Sequence, residues 1–124
     1  MARLATLNPN GAIDVVPVTF AVRDDDTIVT AVDHKPKRTT QLQRLENIRQ
    51  NTAVTLLVDE YDDDWAQLWW VRIRGQARVI DEPPNELLAP LVAKYEQYRT
   101  QAPAGAAIVV AVDDVVAWSA TGDY

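Results

Sequence analysis

The sequence predicts a mainly β domain of six or seven antiparallel strands with two short helices, closed into a small barrel. Sixteen of the 124 residues are valine, and β-branched residues are enriched in strands. The alternating apolar runs are separated mostly by short polar connections, which join antiparallel rather than parallel strands. The order is three strands, a helix, two strands, a helix and one or two strands, and closure into a barrel would protect the sheet edges.

Three strands and one helix are predicted in the first half of the chain. The second strand contains Pro17, which cannot donate to a ladder, so this strand is expected to be an edge or to bulge there. Leu42, Leu45 and Ile48 recur at helical spacing and form one apolar stripe. The predicted strands cover residues 2–7, 12–23 and 27–33, and the helix covers about 38–50.

The second half of the chain again combines predicted strands with one predicted helix. Gly75 falls in the middle of the longest one, where a curved strand would bend. Leucines at helical spacing follow the breaker Glu82-Pro83-Pro84 and predict a second helix. The predicted strands are 53–59, 67–80, 107–112 and 115–120, and the helix covers about 85–98.

Composition excludes several classes of protein. Cysteine is absent and His34 is the single histidine, so thiol nucleophiles and multi-histidine metal centres are excluded. The net charge of −6 makes nucleic acid an unfavourable partner. No apolar run approaches the roughly 20 residues that span a membrane, and no export leader opens the chain. We therefore expect a cytoplasmic protein with no nucleic-acid or membrane partner.

A basic stretch, residues 33–40, lies where a strand gives way to a helix. Lys35, Lys37 and Arg38 stand there beside His34. Backbone N–H groups at a helix start attract anions, and basic side chains would add to that attraction. Bases at a helix N-terminus oppose the helix dipole, so a purely structural reason for them is weak. The sequence leaves open an anion site or a solvated helix start.

Two sequential tryptophans offer a second candidate. Trp69 and Trp70 point to opposite faces of one strand, so one is expected in the core. The other is either a ring platform for a ligand or a subunit contact. The acidic loop 59–64 lacks the glycine and alternating ligands of a calcium loop, and it predicts a solvated turn rather than a metal site.

Three strings in this order resemble the pyridoxamine 5'-phosphate oxidase-like split β-barrel family, whose barrel binds FMN. They are Val-Pro-Val-Thr-Phe at 16–20, Thr-Ala-Val-Asp-His-Lys-Pro-Lys-Arg at 30–38 and Trp-Trp-Val-Arg-Ile-Arg-Gly at 69–75. The resemblance covers nearly all of residues 1–124 as one domain and looks closest to the actinobacterial branch that uses the deazaflavin F420. Relatives usually carry a helix before the first strand, whereas here the first predicted strand starts at residue 2.

The resemblance also implies a cofactor site. Residues 16–18 would lie along the edge of the cofactor ring, and residues 30 and 31 would line the ring and the ribityl chain. The basic stretch would bind the phosphate and the acidic tail. Trp70 falls at the position where related flavoproteins place a side chain that reaches across the dimer interface. The implied cofactor-binding residues are Val16, Pro17, Val18, Thr30, Ala31, His34, Lys35, Lys37, Arg38 and Trp70.

The implied function is an F420H2-dependent reductase that transfers hydride from the deazaflavin C5 to a small conjugated organic substrate. The cofactor carries the chemistry, so no side chain is assigned as catalytic. The cofactor would lie at the interface of a homodimer. Two alternatives remain: an FMN-binding oxidase, and a carrier of a flavin or tetrapyrrole without turnover.

Overall fold

The computed structural model describes residues 1–32 and 39–122, with the backbone alone for 39–42. Within that part, seven strands form one sheet with a few short helices, which confirms the predicted mainly β class. The strands are β1 (Ala2–Leu7), β2 (Ile13–Val18), β3 (Ala21–Val22), β4 (Ile28–Ala31), β5 (Ala53–Glu60), β6 (Trp69–Ile80) and β7 (Ala107–Ser119). The helices are α1 (Thr39–Gln50), α2 (Asn85–Lys94) and α3 (Glu96–Thr100), with a single 3₁₀ turn at Trp65–Gln67.

The sheet is entirely antiparallel and curls into a half-barrel. Its strand order is β2-β1-β5-β6-β7-β4-β3, so the two terminal strands of the sheet follow each other in the chain. Only Thr19 and Phe20 separate β2 from β3. The sheet must therefore bend until its two ends approach, which is the geometry of the split barrel.

This short link corrects the prediction of one continuous strand over residues 12–23. Tyrosines from the α2–α3 corner hold the link: the Tyr95 hydroxyl contacts both the N–H and the carbonyl of Phe20 at 3.2 Å. The Thr19 and Tyr98 hydroxyls are 2.8 Å apart. Side-chain bonds therefore satisfy the backbone where the ladder stops. The prediction that Pro17 lies on an edge strand is confirmed, because β2 ends the sheet.

Two other boundaries differ from the prediction. The two predicted strands 107–112 and 115–120 form one strand, β7, which ends at Ser119. Its register against β6 shifts between Arg74 and Gly75, leaving Asp113 as the extra residue. A Cβ at Gly75 would overlap the carbonyl oxygen of Ala111, so the close approach of β6 and β7 at this point requires glycine. The second predicted helix breaks at Tyr95, which adopts an extended conformation between α2 and α3.

Apolar side chains fill both faces of the curled sheet. The interior cluster includes Leu4, Leu56 and Ile108, and α1 contributes Leu45 and Ile48 to it. A second cluster lies under α2 and is built from that helix together with β3, β4 and β7. No helix in the described ranges is long and apolar enough to cross a membrane.

Candidate functional site

A pocket of about 390 Å³ lies between the β1–β2 hairpin and α1, and we call it the helix pocket. It opens across the edge strand β2. Val16, one of the residues for which a cofactor contact was predicted, lies in its wall. The pocket is lined by Thr6, Asn8, Ile13, Asp14, Val15, Val16, Gln43 and Arg44.

A hydrogen-bond network fixes the polar wall of this pocket. The buried Asn47 donates from Nδ2 to Thr6 Oγ1 at 2.9 Å and to Asp14 Oδ2 at 2.8 Å. Gln43 donates to Asn47 Oδ1 at 2.7 Å, and Asn8 donates to the same Asp14 oxygen at 3.1 Å. The bonds from Asn47 and then Asn8 lower the pKa of Asp14. The network therefore holds α1 and the hairpin in one fixed arrangement.

Arg44 is the exception in this wall. Arg44 is only 7% exposed, and its Nε has no hydrogen-bond partner among the described residues. Burial lowers the pKa of this guanidinium. A buried N–H donor without an acceptor is costly, and an anionic group in the pocket would supply an acceptor to this guanidinium.

Arg44 is not among the cofactor-binding residues predicted from the sequence. The predicted stripe is confirmed at Leu45 and Ile48, which are buried, whereas the side chain of Leu42 lies outside the described part of the chain. Arg44 stands four residues before Ile48 and therefore on the same face of the helix. A charged residue on an apolar stripe was the signal that could have identified it.

Strand β2 presents its three predicted cofactor residues alternately. Val18 is buried in the barrel interior, Val16 is half-buried against it and Pro17 is exposed on the outer face. The outer face of β2 also carries Ile13 and Val15, and both side chains are exposed in the single chain. The edge position leaves one side of the β2 backbone free of ladder partners in the described sheet.

Strand β4 places its two predicted residues on opposite faces. Thr30 is 1% exposed, and its Oγ1 has no hydrogen-bond partner within residues 1–32 and 39–122. Ala31 packs in the cluster under α2. The four predicted basic-stretch residues, His34, Lys35, Lys37 and Arg38, lie outside the described residues.

A second pocket of about 410 Å³, here called the tryptophan pocket, contains Trp70. It lies at the end of strands β5, β6 and β7, and no residue lines both pockets. The structure therefore does not bring Trp70 together with Val16 in one chain. The pocket is lined by Leu57, Asp59, Glu60, Tyr61, Leu68, Trp69, Trp70, Arg72 and Trp118.

The expectation that one of the two sequential tryptophans is core is wrong. Trp70 is half-buried, and Trp69 is 37% exposed. Trp69 is the first residue of β6 and pairs with Glu60, the last residue of β5. Its ring therefore lies at the end of the sheet, beyond the apolar interior.

Solved structures of several bacterial proteins share this fold. A conserved hypothetical protein from Mycobacterium tuberculosis is 21% identical, with a TM-score of 0.69, and the match covers 95% of this chain and 76% of that one. An FAD binding protein from Mycobacterium smegmatis is 20% identical, with a TM-score of 0.59 and coverage of 94% and 82%. A heme binding protein from Mycobacterium smegmatis is 17% identical, with a TM-score of 0.69 and coverage of 98% and 50%.

These identities establish a shared fold alone. No curated protein matches the chain. A family model, by contrast, matches the sequence itself along residues 1–119. On that match, the chain belongs to the pyridoxamine 5'-phosphate oxidase family.

Proposed function

We propose that this protein is an oxidoreductase that uses a flavin-type cofactor, F420 in its reduced form, to transfer hydride to a conjugated organic substrate. The observation that carries the proposal is the buried Arg44, whose Nε has no acceptor among the described residues and which lines a pocket together with Val16. Flavin and deazaflavin cofactors carry phosphate groups, which are strong acceptors for guanidinium. Family membership supports a cofactor of this type.

The chain's own residues would bind and orient the cofactor. Arg44 would hold an anionic group, and the basic stretch that precedes α1 in the sequence would add positive charge for the same group. The free side of β2 around Pro17 offers backbone acceptors to a ring edge. When bound, a reduced deazaflavin supplies the hydride from its C5 position, so the protein needs no assigned catalytic side chain.

Two other functions share this site. An FMN-dependent oxidase would use the same anion contact, and the family is named for such an enzyme. A carrier without turnover would also suffice, and the fold neighbour described as a heme binding protein makes heme a ligand to include in any test. The resemblance of the sequence to the F420 branch is the reason for placing F420 first.

We also propose that the protein is a homodimer. Ile13 and Val15 are 70% and 58% exposed on the outer face of β2, with Leu7 paired beside Ile13. Ile13 and Val15 also line the helix pocket, so a second copy covering them would close its open side. Sedimentation velocity should show a dimer for the wild type and a monomer for Val15→Glu. A monomeric wild type would refute the dimer.

The test of the cofactor is an equilibrium titration of the purified protein with F420, FMN and heme in parallel, followed by ligand fluorescence or absorbance. Binding of F420 at least tenfold tighter than FMN supports the proposal. Preference for FMN favours the oxidase, and preference for heme favours the carrier. Binding of none of the three would contradict a cofactor role for the helix pocket.

A further inference from the structure

The tryptophan pocket is lined by three tryptophans and by one arginine, Arg72. Trp70 on β6 pairs directly with Trp118 on β7, so the two side chains share the outer face. Arg72 comes next on that face, between Leu57 of β5 and Val116 of β7. Its neighbours across the sheet are therefore apolar on both sides.

One N–H group of the half-buried Arg72 lacks an acceptor in this position. Its Nε is buried and has no hydrogen-bond partner in the described ranges of the chain. Of the two carboxylates that line the pocket, Asp59 is engaged by Arg3 Nη1 at 2.6 Å. The other, Glu60, is exposed at the end of β5 and forms no salt bridge with a described residue. The Nε of Arg72 is thus the one buried polar side-chain atom of the described pocket lining that has no partner.

We propose that the tryptophan pocket is a second ligand site, one that binds a planar aromatic carboxylate. Tryptophan rings offer flat faces against which a conjugated ring stacks. A carboxylate accepts two N–H groups from one guanidinium, which fits the unmet donor of Arg72. A volume of about 410 Å³ suits one small ring system with its acid group. The two pockets share no residue, so this site does not rest on the proposed cofactor.

The four tryptophans make the proposal directly testable by NMR. The chain has four indole N–H groups, from Trp65, Trp69, Trp70 and Trp118, and the last three line the pocket. The experiment is a titration of the ¹⁵N-labelled protein with trans-cinnamate, with cinnamyl alcohol as the matched probe without the carboxylate. The indole signals of Trp70 and Trp118 should shift saturably with cinnamate, and the alcohol should bind about tenfold more weakly.

Three variants separate the role of Arg72 from general surface charge. Arg72→Gln should weaken cinnamate binding about tenfold, the value of one lost charged hydrogen bond. Arg74→Gln, an exposed arginine two residues further along the same face, should change the affinity less than twofold. Trp118→Leu, at a partly exposed position, should weaken binding about fivefold by loss of stacking.

Several results would overturn this site. They are the absence of a saturable indole shift, equal affinity for acid and alcohol, and an unchanged affinity in Arg72→Gln. Displacement of cinnamate by F420 or FMN would assign the pocket to the cofactor instead. Conversion of a dimer to a monomer by Arg72→Gln would show that a second copy supplies the acceptor.

Discussion

The helix pocket and the tryptophan pocket are lined by different kinds of side chain. In the helix pocket, Thr6, Asp14 and Gln43 are tied together through the buried Asn47, and the one buried polar atom left without a partner belongs to Arg44. In the tryptophan pocket, the walls are partly exposed rings. Among the described residues that line it, only Arg72 has a buried polar atom without a hydrogen-bond partner. One pocket is a rigid part of the fold, and the other is formed on the sheet surface.

This difference separates stability from binding. Residues that hold the helix pocket together should affect folding strongly, because they join α1 to the β1–β2 hairpin. Residues of the tryptophan pocket should affect folding little. In both pockets the guanidinium should matter for ligands and should cost the free protein stability.

The largest expected effect is that of Asn47→Ala. This substitution removes three hydrogen bonds from a fully buried side chain and leaves Thr6 and Gln43 without that partner. We expect the free energy of unfolding to fall by about 2–3 kcal/mol in urea denaturation. Gln50→Ala, which loses one exposed bond to Glu46, is the control and should cost less than about 0.5 kcal/mol. Equal losses in the two variants would show that the network does not hold the helix.

The next effect has the opposite sign. Arg44→Met keeps the length of the side chain and removes a buried charge that lacks a partner in the described structure. The ligand-free protein should become more stable by about 1 kcal/mol, measured by urea denaturation. Arg49→Met, which loses an exposed salt bridge to Asp81, should show no gain. A destabilised Arg44→Met would mean that the guanidinium supports the fold rather than a ligand.

A smaller effect is expected in the tryptophan pocket. Trp118 is 41% exposed and pairs with Trp70 at the end of the sheet. Its replacement in Trp118→Leu should change the free energy of unfolding by less than about 0.5 kcal/mol. A loss of more than about 2 kcal/mol would place this ring in the core and contradict the description of a surface pocket.

The smallest effect is a pH dependence at Asp14. Hydrogen bonds from Asn47 and Asn8 lower its pKa in the folded protein from the ordinary value of 3.8. The resulting stabilisation is therefore present above pH 3.8 and is lost as pH falls through the lower folded pKa. Wild type should lose more stability than Asp14→Asn in this acid range, as measured by urea denaturation at successive pH values. Parallel curves for the two proteins would contradict the lowered pKa.

The sequence was sufficient for the strands and their class, because alternation and short turns are local signals. It was insufficient for the link at Thr19 and Phe20, since its tyrosine partners lie about 75 residues away. The exposure of Trp69 also depended on strand register, which periodicity alone does not provide.

The candidate site was predictable only in part. Val16 was predicted through the family resemblance. Arg44 was not predicted, because it lies among the apolar residues of the helical stripe. Whether a cation on a helix is buried and lacks an acceptor depends on the opposing hairpin. That information is tertiary, so the position of Arg44 on the apolar stripe could suggest burial but could not show that an acceptor is missing.

The central claim is that Arg44 holds the anionic part of the cofactor. The most direct measurement is the dissociation constant of F420, or of FMN if that binds more tightly, for wild type, Arg44→Gln and Arg49→Gln. A lost charged hydrogen bond predicts about 10- to 100-fold weaker binding in Arg44→Gln. Arg49→Gln carries the same change in charge on the exposed side of α1 and should bind as wild type does. Equal affinities for all three proteins would contradict the claim.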